Sequence, residues 1–124
     1  MALRTPHLLL FIAILFGCSD ENLEKDKVDT AVARASIYCG SSSAQLSWLR
    51  LIIEESEKDG TLKGNIYTFQ SNGKTVFMHQ PWIMSCLGCI MYDCQGNRLK
   101  PEDIDQEKLA NGFQDLILIY EAFM

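Results

Sequence analysis

The stretch from Ile66 to His79 constrains the fold of this chain more than any other. It reads Ile66-Tyr67-Thr68-Phe69-Gln70-Ser71, then Asn72-Gly73, then Lys74-Thr75-Val76-Phe77-Met78-His79. Asn-Gly accepts positive φ at both central positions of a type I′ turn, whose twist matches that of two flanking antiparallel strands. A two-residue hairpin over 66–71 and 74–79 is therefore expected, and the turn sets its register. Phe69 then faces Val76 and Tyr67 faces Met78 on one side, while Gln70 faces Thr75 and Thr68 faces Phe77 on the other. The first side is the more apolar and is the expected core face. Gln80-Pro81 should stop the second strand, because proline has no ladder donor.

A hairpin alone cannot bury its face, so a partner is sought upstream. Leu46, Leu49, Ile52 and Ile53 recur close to one side of a helix, with Arg50, Glu54, Glu55 and Glu57 elsewhere. Ser42 with Gln45 three residues on has the form of a capping box, and Asp59-Gly60 supplies a stop. One main helix is expected over about 43–58. Trp48 lies off its stripe and should cover the edge of the core.

Downstream, Cys89-Ile90-Met91-Tyr92-Asp93-Cys94 has the β-branched and aromatic content of a third strand, with Gln95-Gly96-Asn97 as the turn after it. Arg98-Leu99 starts a short return. Pro101, Asp103 and Gln106 suggest a small helix over about 103–110, entered through another capping box and closed by Asn111-Gly112. Leu116 to Tyr120 is an apolar run bounded by Asp115 and Glu121. Over 113–124 a helical stripe competes with a strand, and a buried strand over about 116–121 is preferred. The expected fold is α+β: a small antiparallel sheet of three to four strands (about 66–71, 74–79, 89–94 and 116–121) on one main helix.

The chain has 124 residues and 48% hydrophobic content, enough for a single modest core. Its first 17 residues have the form of a signal peptide, with Arg4 in a short n-region and an apolar stretch from Leu8 to Phe16 that is too short to span a bilayer as a helix. Leu15-Phe16-Gly17-Cys18 resembles the lipobox of bacterial lipoproteins, in which the cysteine is acylated and becomes the new N-terminus. Phe16 is bulkier than is usual at its place. Each buried methylene of an acyl chain such as palmitate contributes about 0.8 kcal/mol, so two or three chains would hold a small domain on a membrane. The expected organisation is a signal peptide over 1–17, a lipidated Cys18 leading a flexible tether over 18–36, and a domain over 37–124. A fraying helix through 28–34 is the lesser alternative for the polar, mixed-charge tether.

Removing residues 1–17 takes away Arg4 and leaves 10 Lys and Arg against 16 Asp and Glu, a net of −6. Such a chain offers no basic patch for nucleic acid. Ser19 directly after Cys18, followed by the acidic Asp20-Glu21, is similar to the sorting signals of lipoproteins carried to the outer membrane, facing either the periplasm or the cell surface.

The order of these signals carries a family resemblance. A cysteine, Cys39, precedes the Trp48 helix; then come the Tyr67-x-Phe69 and Asn72-Gly73-Lys74-x-Val76-Phe77 hairpin, a further cysteine, Met91-Tyr92-Asp93-Cys94-x-Gly96-Asn97, and a terminal Leu118-Ile119-Tyr120-Glu121. This resembles a group of small Bacteroidota lipoproteins with a domain of unknown function, over roughly Cys39 to Glu121. The resemblance implies a compact α+β domain with disulfides and brings no activity with it. Lys100-Pro101-Glu102-Asp103 departs from the group's pattern, which has a further cysteine in a Gly-rich segment there, and Cys89 is a candidate substitute partner.

With Cys18 lipidated, Cys39, Cys86, Cys89 and Cys94 remain, an even number in an oxidising compartment, which favours two structural disulfides. Each bridge typically adds about 2–4 kcal/mol to a domain of this size. The sequence leaves the pairing open, with Cys39 to Cys94 or Cys86 preferred because either ties the start of the helix to the sheet.

Two competing chemistries attach to the same cysteines. Cys86-x2-Cys89 has zinc-knuckle spacing, and Cys94 with His79 or Cys39 could complete a tetrahedral set. A thioredoxin-like site would use Cys86-Leu87-Gly88-Cys89, but needs its first cysteine at a helix N-terminus, whereas Ile90-Met91-Tyr92 reads as strand. His79 has no Ser/His/Asp order or carboxylate cluster around it and is expected to be structural or at a rim. The favoured reading is a non-enzymatic module without cofactor or metal. It would be bound to the membrane through Cys18 and would contact another envelope protein or a glycan through its hairpin and the Trp82 region, including His79. The alternative is a thiol-disulfide or zinc-handling envelope protein using Cys86, Cys89 and Cys94.

Overall fold

The computed structural model describes residues 23–123. The expected signal peptide, Cys18 and residues 19–22 lie outside the described residues. Five strands form one antiparallel sheet in the order β4-β3-β2-β1-β5: β1 is Gly64–Ser71, β2 Lys74–Pro81, β3 Met91–Tyr92, β4 Arg98–Leu99 and β5 Ile117–Tyr120. The fold is α+β as expected, with five strands in place of three to four.

The β1–β2 hairpin has the expected register, Phe69 opposite Val76 and Tyr67 opposite Met78. Asn72 (φ 53°) and Gly73 (φ 77°) adopt the positive φ that the tight turn requires. The strands extend further than expected, because Pro81 still pairs with Gly64 as the last residue of β2. Proline is tolerated there since the ladder needs no donor from it at the strand's end.

Both faces of the hairpin are covered, which corrects the expectation of a single core face. Phe69, Val76, Met78 and Met91 pack with Ile104 and Phe113 from the segment after β4. Ile66 and Phe77, on the opposite face, pack with Leu46, Leu49 and Ile53 of the main helix. That helix begins as a 3-10 turn, Ser43–Leu46, and continues as α2, Ser47–Lys58. The capping box expected of Ser42 and Gln45 does not form: Ser42 makes no side-chain cap, and Gln45 N–H donates to the Ser42 carbonyl in the tighter turn.

The largest correction concerns the expected tether. Residues 23–39 form a helix, α1, and Val28, Ala31, Val32 and Ala35 are buried against α2 and the sheet. These four recur at i, i+3, i+4 and i+7, the spacing of a helical stripe. Gly40 (φ 63°) ends α1, and Ser41 N–H donates to Ser36 O, the six-to-one bond of a Schellman motif. Arg50 of α2 pairs with Asp29 of α1 at 2.6 Å. The folded unit therefore starts by residue 23, not at 37.

The last strand is a strand, not a helix. β5 pairs with β1, and the register shifts between Ile66 and Tyr67, opposite Tyr120 and Leu118, leaving Ile119 unpaired. This bulge lets the consecutive residues Ile119 and Tyr120 both face the helices. The short helix, α3, is Gln106–Ala110, preceded by a 3-10 turn at Pro101–Asp103. Its cap is Asp105, whose side chain accepts from Glu107 N–H; Asp103 instead accepts from Lys100 N–H in the turn before.

The third strand is shorter than the expected 89–94. Asp93 turns the chain back at once, its Oδ1 accepting from both Gln95 N–H and Asn97 N–H. Cys94 then leaves the sheet to bond Cys39 at the end of α1, with Cα atoms 5.8 Å apart. Trp48 closes this corner as expected, donating from Nε1 to Cys94 O at 3.1 Å and packing on Phe77 and Tyr92.

Candidate functional site: the closed apolar loop after β2

β2 and β3 are joined by residues 82–90, and the sequence around them decides the loop's character. From Gln80 to Tyr92 there is no Asp, Glu, Lys or Arg, in a chain of 22% charged residues. The loop has internal reasons to hold one shape. Pro81 is buried and fixes the direction of exit. Trp82 N–H donates to Lys63 O at 2.9 Å, Met84 N–H to Pro81 O, and the Gln80 amide nitrogen to Met84 O at 2.8 Å.

The return half is closed by a second disulfide, Cys86–Cys89, with Cα atoms 5.7 Å apart. Gly88 (φ 78°) sits between them against the Phe113 ring, where a Cβ would fall 2.7 Å from Cε2 and Cζ. Only glycine meets both demands, the positive φ and the close approach. Arg98 donates from Nη2 to Cys89 O at 2.9 Å, and His79 N–H to Ile90 O re-forms the ladder.

Held at Trp82, Met84, Cys89 and Ile90 by these bonds, the loop turns apolar side chains outward. Trp82 is 48% exposed and Ile83 72%, and Leu87 is also exposed. The Trp82 region, named from the sequence as a contact surface, is exposed. His79 is not part of that surface: it is only 4% exposed, and its Nε2 donates to Leu62 O at 2.8 Å, fastening the 60–63 turn to β2. Burial, with a smaller push from the Arg98 charge, lowers its pKa below the ordinary 6.5 despite the hydrogen bond.

The four cysteines pair as Cys39–Cys94, one of the two pairings preferred for Cys39, and Cys86–Cys89. The zinc set considered for Cys86, Cys89, Cys94 and His79 is not assembled, because Cys94 is drawn to Cys39 and His79 to Leu62. Among the described residues no group of three or more His, Cys, Asp or Glu is placed to hold a metal ion. No helix of the described residues is long and apolar enough to cross a membrane.

Two grooves elsewhere include carboxylates that hold the fold together. One of about 350 Å³ between the hairpin tip and the β3–β4 turn includes Asp93 and Asp103. Both carboxylates accept backbone N–H groups of their own turns. Another of about 260 Å³ between α1 and α2 includes Glu57. Its Oε1 accepts the Tyr120 hydroxyl at 2.6 Å and Phe123 N–H at 3.2 Å, and its Oε2 lies 3.5 Å from Lys63 Nζ. Among the described residues the loop combines exposed Trp82, Ile83 and Leu87 with an absence of charged side chains. No protein-family model matches the chain, and no curated protein or solved structure matches it.

Proposed function

We propose that this protein is a non-enzymatic binding module of the cell envelope, anchored in the outer membrane by lipid on Cys18, and that the 82–90 loop is its contact surface. One observation carries the reading. A loop without charge holds Trp82 and Ile83 in solvent, while bonds at Trp82 and Met84 fasten its first half and the Cys86–Cys89 bond closes its second. Exposing large apolar side chains opposes folding, and fixing them in place lowers the entropy lost when a partner covers them. Two disulfides suit an oxidising compartment, which agrees with the lipobox-like Leu15-Phe16-Gly17-Cys18 and with the likeness to small Bacteroidota lipoproteins.

A photo-crosslinking residue in place of Ile83, compared with one in place of the exposed Leu51 of α2, tests the contact surface in intact cells. Adducts, with protein or with lipid, from position 83 alone are expected; equal yields from both positions would remove the loop from the proposal.

The second reading, thiol-disulfide exchange, draws on the exposure of both Cys86 and Cys89. Against it, Cys86 opens a turn and not a helix, so no helix dipole stabilises a thiolate there. Alkylation after mild reductant separates the two: resistance of the Cys86–Cys89 bond favours the binding module, and ready reduction favours exchange.

A further inference from the structure

The strands divide the molecule into two ends, and the loop shares one of them with the start of α1. Gly64 opens β1, Pro81 closes β2, and the two pair, so the chain leaves for the 82–90 loop at the end opposite the Asn72-Gly73 turn. A chain of contacts places the first turns of α1 there too. Lys27 Nζ lies 4.1 Å from the Phe123 ring centroid and 5.3 Å from that of Tyr120. Phe123 and Tyr120 both donate to Glu57, Glu57 faces Lys63, and the Lys63 carbonyl accepts Trp82 N–H. The other end of α1 lies at the opposite pole, where Thr75 Oγ donates to Tyr38 O and Cys39 bonds Cys94.

Four exposed apolar side chains lie at the first of these ends, while Ile37 and Tyr38 are exposed at the other. Leu23 at the start of α1 is 64% exposed and Leu62 in the turn before β1 is 38% exposed, joining Trp82 and Ile83. We propose that this end is a membrane-docking face resting on a phospholipid surface, with Trp82, Ile83 and Leu62 entering the boundary between headgroups and acyl chains.

The proposal rests on the reading of Cys18 as the lipidated residue, and the helical character of residues 23–39 sharpens it. Only residues 19–22 separate Cys18 from the first described residue of α1. Whatever their conformation, five Cα steps reach at most about 18 Å. A tether through residue 36 would have let the domain tumble far from the bilayer; this length keeps the α1 end against it.

The energetics suit a contact that orients an anchored domain and does not by itself recruit one. Shallow insertion of the docking side chains gains only a fraction of what their full burial would. An acyl anchor supplies the high effective concentration that makes so weak a contact count. The absence of charge from Gln80 to Tyr92 removes the main penalty for entering the interface, and an indole ring is at home there.

The test uses the full protein purified from membranes, with acylation of Cys18 checked by mass, placed in vesicles of phosphatidylethanolamine and phosphatidylglycerol with brominated acyl chains. Bromine quenches tryptophan at contact. The expected result is loss of the Trp82 emission, with little loss in Trp82→Phe, where Trp48 alone reports from the domain's packed corner. Unquenched Trp82 in acylated, vesicle-bound protein would overturn the docking face and leave the anchor standing. Cys18 without an acyl chain would overturn the anchor and the proposal with it. A protein adduct from position 83, together with unquenched Trp82, would make a protein the loop's partner and the membrane reading wrong.

Discussion

The indole of Trp48 and the backbone of Gly96 are in direct contact: a Cβ placed on Gly96 would lie 2.6 Å from Trp48 Cγ, at a residue whose φ is +85°. The turn after β3 is thus shaped to receive the tryptophan that also donates to Cys94 O. Gly96→Ala introduces both a clash and an unfavourable φ, and should cost about 2–4 kcal/mol. Urea unfolding of the variant beside the parent checks this, with a lower midpoint and unchanged slope expected.

The Tyr120 hydroxyl and Glu57 join β5 to the last turn of α2. Burial, followed by the bond to Glu57 and its charge, raises the Tyr120 pKa well above the ordinary 10. An unfolded phenol ionises near 10 while the folded one stays protonated, so the contribution is complete below pH 10 and is lost as pH rises beyond it. Tyr120→Phe should cost about 1–3 kcal/mol at neutral pH by depriving a mostly buried carboxylate of a donor. It should also flatten the alkaline decline in stability, which unfolding at a series of pH values would show.

His79 gives the opposite limb. Its folded pKa lies below 6.5, so from pH 6.5 downward the unfolded chain takes up a proton that the folded one does not. Its contribution is present above 6.5 and is lost as pH falls through the lowered folded value. His79→Gln should remove this component of acid destabilisation while lowering stability at neutral pH, since the new amide must replace the bond to Leu62 O. Denaturant midpoints between pH 7 and pH 5 for both proteins provide the comparison.

The two disulfides should behave differently. Cys39–Cys94 closes a separation of 55 residues and Cys86–Cys89 one of 3. On the chain-entropy account these contribute about 4 and about 2 kcal/mol. Cys39→Ala with Cys94→Ala should bring a large fall in the denaturant midpoint. Cys86→Ser with Cys89→Ser should leave most of the stability and speed amide exchange chiefly over 82–90. Hydrogen exchange on both double variants distinguishes a global from a local effect.

Much of this architecture is legible in the sequence, because its strongest signals are local. Asn72-Gly73 dictates its own turn, and the turn dictates the pairing of Phe69 with Val76 and Tyr67 with Met78. The α2 stripe is legible because its residues are large. α1 is harder to see for the opposite reason: its stripe is Val28, Ala31, Val32 and Ala35, small side chains in a polar, mixed-charge stretch that resembles a linker in composition. The spacing of those four residues and Gly40 beyond them held the signal. The second covered face of the hairpin follows from the segment around Ile104 and Phe113 folding across it, a long-range event that alternation along one strand does not report. His79 is structural, one of the two places expected for it, but that it holds the Leu62 turn is set by tertiary structure. The loop's exposure is not legible, because thirteen residues without charge are as compatible with a buried segment as with a presented one; its exposure and its position beside the start of α1 both required the fold.

The most direct measurement is mass spectrometry of the intact protein purified from membranes, followed by non-reducing digestion. The account predicts an N-terminus at Cys18 carrying acyl chains, and linked peptides joining Cys39 to Cys94 and Cys86 to Cys89. An unacylated Cys18 or an unprocessed N-terminus would contradict the anchored binding module, and free thiols at Cys86 and Cys89 would contradict the closed loop on which its contact surface depends.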